Sequence, residues 1–99
     1  MCSRFETIDR EDAIERWGVN PRSNLLGAAK WGTIYPTYDT LLITYDNEPI
    51  IRSWGLTPEW AKRPLINAKS EDAHEKKTFI PLLSKRCVIP AASYYEWQG

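Results

Sequence analysis

Cys2, directly behind the initiator methionine, carries the most reactive chemistry this sequence offers. Removal of Met1, which a small side chain at position 2 favours, would leave Cys2 with a free α-amine beside its thiol. An α-amine is partly neutral at physiological pH, and a thiol becomes a strong nucleophile once ionised. A 1,2-aminothiol of this kind reacts with an aldehyde in two steps. The amine condenses to a Schiff base, and sulfur then adds to the imine carbon, closing a five-membered thiazolidine. A retained Met1 blocks the amine and with it the reaction. On position alone, an ordinary packing cysteine is the commoner case.

Other residues could serve such a nucleophile. Glu96 stands in Tyr94-Tyr95-Glu96-Trp97, and strand alternation puts it on the face of Tyr94, opposite Tyr95 and Trp97. A carboxylate among aromatics can act as general acid or base, although a solvated strand residue is the plainer reading. Asn67 follows the apolar pair Leu65-Ile66 and either orients a substrate or caps a turn. Arg4, Lys62, Arg63 and Lys69 are candidate phosphate contacts, each equally readable as a surface charge. Trp54 and Trp60 could stack on unpaired bases, with core packing the stronger alternative for Trp54, which sits within a strand. His74 lies among Glu and Lys and reads as solvated, while Cys87, between Arg86 and Val88, reads as a buried core residue.

The elements that position these groups follow from local signals. Thr7 to Gly18 reads as a short helix, capped by Asp9 and stopped at Gly18, with Ile14 and Trp17 sharing its buried face. Asn20 to Asn24 is a loop. Trp31 to Tyr35 is extended until Pro36 interrupts it. Leu41 to Tyr45 and Ile50 to Trp54 flank Asp46-Asn47-Glu48-Pro49 as an antiparallel hairpin. Gly55 to Pro64 is irregular. Ser70 to Glu75 and the stretch after Thr78 each form a helical turn, the second with Leu82 and Leu83 facing inward. Arg86 to Ile89 and Ser93 to Trp97 are strands divided by Pro90. The sum is an α+β fold with a mainly antiparallel sheet and short helices. Gly99 follows directly on a strand, so a truncated sheet with an open edge is expected.

Ninety-nine residues suit one modest core, and 42% hydrophobic with 26% charged residues is a globular rather than a disordered composition. Thirteen basic side chains balance thirteen acidic ones, so nucleic-acid binding would need a local basic patch. Two cysteines are too few for a disulfide framework or a metal cluster. No apolar run is long enough for a membrane span or a signal peptide. The expectation is a cytoplasmic protein with reduced thiols, nucleoid-associated if bacterial, without cofactor, metal or membrane partner.

Four stretches, taken in order, resemble the SRAP family of SOS response-associated peptidases, or abasic-site processing proteins. Met1-Cys2-Ser3-Arg4-Phe5 is similar to the family start MCGRF, and Trp54-Gly55-Leu56-Thr57-Pro58-Glu59-Trp60 to WGL-x-P-x-W. Asn67-Ala68-Lys69-Ser70-Glu71 resembles NARAE, and the segment from Arg86 to Trp97 resembles RCLIPADGFYEW. The resemblance implies residues 1–99 as the N-terminal portion of one SRAP domain, with a partial barrel-like fold. It implies covalent capture of abasic sites in single-stranded DNA by Cys2, sugar positioning by Asn67 and acid-base work by Glu96, the last also linked to removal of the initiator methionine. Arg4 and Lys69 match phosphate-contacting positions, and Pro36 and Trp60 fall near positions that pack against kinked DNA. Ser3 for Gly, Lys69 for Arg and Ala92-Ser93 for Asp-Gly depart from the pattern. Lysine at 69 exchanges a bidentate fork for a point charge. The family's catalytic histidine belongs to a C-terminal half outside these residues. A non-covalent single-stranded DNA-binding module and a self-processing cysteine peptidase are the competing readings.

Overall fold

The computed structural model describes residues 2–96, so the expected positions of Met1 and Trp97 lie outside the described residues. Strand β1 (Phe5–Thr7) is followed by helix α1 (Arg10–Glu15), helix α2 (Leu25–Ala28) and strand β2 (Thr33–Ile34). The hairpin β3 (Asp39–Thr44) and β4 (Pro49–Ser53) comes next. Two 3-10 turns follow, at Ala73–Glu75 and Ile80–Leu82, and then β5 (Cys87–Val88) and β6 (Ala91–Tyr94). The strands form two three-stranded antiparallel sheets, ordered β2-β1-β6 and β4-β3-β5. This is the expected α+β class with antiparallel sheets, and the sheets do not close into a barrel.

Helix α1 forms where its caps dictate. The Asp9 side chain accepts from the Asp12 N–H at 2.8 Å, and Gly18 leaves the helix at φ +69°. Beyond that stop the Val19 N–H reaches back six residues to the Ala13 carbonyl at 3.0 Å, closing the turn that follows the helix. That stop, more than the helix itself, decides what is buried. Ala13 and Val19 enter the core with Ala29 and Leu41, and Ile8, Leu26, Trp31 and Ile51 pack around them. The expected buried pair Ile14 and Trp17 is therefore corrected: Ile14 is half-buried and Trp17 is exposed.

Between α1 and β2, the Ser23 hydroxyl accepts from the Leu25 N–H where α2 begins, directly after the loop expected from Asn20 to Asn24. The Trp31 indole N–H donates to the Leu26 carbonyl at 2.9 Å, fastening that helix to the chain entering β2. In the hairpin, Asn47 takes φ +62°. The Thr44 hydroxyl accepts from the Glu48 N–H at 3.2 Å, closing the turn. β3 is the central strand of its sheet and buries Thr40, Leu41, Leu42 and Ile43 in succession. Such a run fits a strand covered on both faces.

The segment from Cys87 to Tyr94 behaves differently. β5 and β6 are the outer strands of their respective sheets, joined through Pro90. Every residue of the stretch is exposed except Pro90, and none carries a charge. Cys87, expected in the core, is exposed because β5 pairs only with β3 and turns its side chains outward. Leu82 is likewise exposed rather than inward-facing, leaving Leu83 half-buried. The 3-10 turn that holds Leu82 rotates about 120° per residue, so adjacent leucines cannot share one face.

Candidate active site

Residues from opposite ends of the chain meet at the N-terminal strand. β1 pairs antiparallel with β6, Phe5 opposite Tyr94 and Glu6 opposite Ser93. The pairing continues one step beyond β6, where the Tyr95 N–H donates to the Arg4 carbonyl at 3.2 Å. The Cys2 thiol donates to the same carbonyl at 3.2 Å. Cys2 is half-buried, so its position is fixed while solvent still reaches it.

Asn67 closes the site from a third direction. Its Nδ2 donates to the Cys2 carbonyl at 2.8 Å across 65 residues of chain. Three features bring it there. The Phe5 ring meets Trp54 edge-on with centroids 5.5 Å apart, and the Trp54 indole N–H donates to the Ile66 carbonyl at 3.2 Å. Leu56 and Leu65 form an isolated bridge. Gly55 makes that approach possible, since at φ +118° a Cβ would stand 2.8 Å from the Pro64 Cβ. Asn67 is thus neither a turn cap nor a loose loop amide. Trp54 serves as the packing residue between β1 and the loop.

Glu96 lines a cleft of about 190 Å³ with Ser3, Arg4 and Tyr95, so the two residues that follow Cys2 in sequence border it. Tyr95 and Glu96 border this one cleft, whereas alternation had put them on opposite faces. β6 stops at Tyr94, and the period-two rule stops with it. The Arg4 guanidinium lies 4.2 Å from the centroid of the Tyr95 ring. The Tyr95 hydroxyl donates to Glu6 at 3.1 Å, and the Thr33 hydroxyl donates to the same carboxylate oxygen at 2.6 Å. That hydrogen bond, followed by the charge of Glu6, raises the Tyr95 hydroxyl above the ordinary tyrosine value. Sequence reasoning missed this group because β1 is three residues long and shows no period of its own.

A second, more open groove of about 360 Å³ starts at Asn67 and is walled by Trp60, Lys69, Lys76 and Phe79, among others. Trp60 is 68% exposed, which leaves its ring available as a stacking surface. Trp60 and Lys69, singled out separately in the sequence, therefore share one groove with Asn67. Pro36 lines neither cleft, but its neighbour Thr37 donates its N–H to the Trp54 carbonyl at 2.8 Å. Between residues 59 and 86 the basic Lys62, Arg63, Lys69, Lys76, Lys77, Lys85 and Arg86 outnumber Glu59, Glu71, Asp72 and Glu75, and all seven are exposed. The neutral total charge thus conceals a locally basic surface. His74 is exposed with Nε2 3.5 Å from Glu75 and lines neither cleft. Among the described residues no cluster of His, Cys, Asp or Glu could hold a metal ion. No helix among them is long and apolar enough to cross a membrane.

Asn67 thus holds the Cys2 backbone, and Glu96 lines the cleft with Ser3 and Arg4, the residues that follow Cys2 in sequence. The chain belongs to the SOS response associated peptidase (SRAP) family, whose sequence model matches residues 1–99. Among its relatives is abasic site processing protein YoaM of Bacillus subtilis (strain 168), 53% identical over 111 aligned residues. The alignment covers 99% of this chain and 48% of that relative. YoqW and YobE of the same bacterium, also named abasic site processing proteins, are 37% and 35% identical, with 99% of this chain and 48% and 49% of theirs covered. The chain spans about half the length of the curated relatives it matches. No solved structure matches it significantly.

Proposed function

We propose that this chain supplies the nucleophile-bearing part of a protein that captures abasic sites in single-stranded DNA covalently through Cys2. The observation that carries the reading is the 2.8 Å hydrogen bond from Asn67 to the Cys2 carbonyl, which ties down residue 2 while its neighbours Ser3 and Arg4 border a cleft with Glu96. The names of the relatives, abasic site processing proteins, support the substrate class.

The chemistry follows from the aminothiol. After Met1 is removed, the α-amine of Cys2 attacks the aldehyde carbon of the ring-opened sugar, and the carbinolamine loses water to give an imine. The Sγ–H then adds across the imine, sulfur bonding to carbon and the proton passing to nitrogen. One water leaves in total and no electrons change hands. Glu96 ferries the protons, giving one to the departing hydroxyl and taking one from the attacking amine. Asn67 orients the sugar while it holds the Cys2 backbone. The strand runs along the groove from Asn67, with Lys69 on a phosphate and Trp60 against an unpaired base.

Intact-protein mass spectrometry with an abasic oligonucleotide tests the covalent step. The expected product has the summed masses of Met1-free protein and DNA less one water. Binding without that product would support the non-covalent module instead, and release of the methionine without any DNA product would support the self-processing peptidase. The groove has its own signature. Lys69→Ala should weaken binding to single-stranded DNA whatever the sequence, and should reduce the slope of log affinity against log salt by about 0.7, the share of one phosphate contact. An unchanged slope in a fluorescence titration would remove Lys69 from the interface.

A further inference from the structure

We propose that Glu6 and Tyr95 are positioning residues for Arg4, together presenting its guanidinium edge at the mouth of the Ser3–Glu96 cleft, ready for a DNA phosphate. The inference rests on the single-stranded DNA reading above and adds the device by which one of its contacts is held.

Three strands contribute. Glu6 on β1 stands opposite Thr33 on β2 and opposite Ser93 on β6, with Tyr95 just beyond. One Glu6 oxygen accepts from both the Thr33 and the Tyr95 hydroxyls, at 2.6 and 3.1 Å. Tyr95 is therefore tied at both ends, its hydroxyl to Glu6 and its N–H to the Arg4 carbonyl. The ring between those ties has little freedom to turn, and the Arg4 guanidinium rests on it at 4.2 Å.

The mode of contact matters more than its strength. A guanidinium stacked on an aromatic ring uses its face, so its N–H donors remain along the edge for a bidentate phosphate contact. An ion pair with Glu6 would occupy those same donors. Two hydroxyl donors instead engage the carboxylate, and the tyrosine carries its influence to Arg4 without neutralising it. The Tyr95 hydroxyl is protonated across the physiological range, as any tyrosine is, and its hydrogen bond to Glu6 raises it further. Arg4 is ordered in this way while its hydrogen-bonding capacity is preserved.

The test is a double-mutant cycle on binding of a fluorescent single-stranded oligonucleotide lacking any abasic site, so that covalent chemistry does not enter. Tyr95→Phe keeps the ring and removes the hydroxyl, and Glu6→Ala removes the acceptor. Each should weaken binding by about threefold to tenfold, the factor carried by one hydrogen bond. The double variant should be no weaker than the weaker single, because both remove the same link. Glu6→Gln retains an acceptor oxygen and should bind within about twofold of the unsubstituted protein. Thermal melts confirm that each variant is folded. Spectrophotometric titration adds a readout independent of DNA: Glu6→Ala should bring the Tyr95 hydroxyl down towards the ordinary tyrosine range. Additive losses in the cycle would overturn the proposal. So would unchanged binding in Tyr95→Phe alongside a loss in Arg4→Ala, or a Tyr95 titration indifferent to Glu6. If Arg4→Ala and the unsubstituted protein bind equally poorly while the titration responds as expected, the DNA reading fails and the side-chain network stands.

Discussion

Cys2→Ala is expected to abolish the stable DNA adduct while leaving non-covalent binding to single-stranded DNA close to intact. The substitution keeps an α-amine at position 2, so an imine can still form, but without sulfur no ring closes and the imine hydrolyses. The structure indicates why binding should survive. Asn67 holds the backbone carbonyl of residue 2, which alanine retains, and only the thiol's bond to the Arg4 carbonyl is lost. The groove with Trp60 and Lys69 is untouched. Denaturing gel electrophoresis reads the adduct, and a titration with intact oligonucleotide reads the binding. A denaturation-resistant adduct of undiminished yield would remove Cys2 from the chemistry.

Glu96→Gln should slow adduct formation by ~10²–10⁴-fold, the usual contribution of a positioned general acid or base. Glutamine preserves the shape of the side chain that borders the cleft with Ser3, Arg4 and Tyr95. The loss would therefore belong to proton transfer rather than to packing, and the melting temperature should hardly move. The same substitution should slow removal of Met1. Both rates are best followed by mass spectrometry. An unaltered rate would leave Glu96 as a wall of the cleft and nothing more.

Local chemistry made much of this fold readable in the sequence. Asp9 marks the start of α1 because it caps that end by itself, although the helix stops at Glu15, short of Gly18, and Thr7 belongs to β1; the β3–β4 hairpin is announced by two apolar runs around Asp46-Asn47-Glu48-Pro49. Where the deciding contact is remote, the sequence is silent. Nothing near Asn67 indicates that its amide will find residue 2; that depends on the Phe5–Trp54 ring contact, the Trp54 indole and the close approach at Gly55. The four matching stretches supplied the association before any geometry could. Strand period misplaced Tyr95 because β6 ends at Tyr94, well before the expected strand end at Trp97. Cys87 looked like core because its type and its β-branched neighbour favour burial, yet whether an outer strand is covered is a property of what packs on it. β1 and α2, of three and four residues, are too short to show any period at all.

The uncharged outer run from Cys87 to Tyr94 also governs how the purified polypeptide behaves in a tube. Soluble proteins usually guard an outer strand with lysine, a bulge or an inward charge, because exposed backbone N–H and carbonyl groups recruit any strand they meet. Here Pro90 lies between β5 and β6 and the β1–β6 pairing shifts register between Glu6 and Thr7, but no charged side chain stands within the run. At high protein concentration the 99-residue chain should therefore scatter light increasingly, with apparent mass climbing during storage. Val88→Lys, on an exposed position of β5, should suppress that growth without lowering the melting temperature, since the side chain is 54% exposed and buries little. Unchanged growth of scattering in Val88→Lys would mean that these eight residues do not govern the colloidal behaviour of the polypeptide.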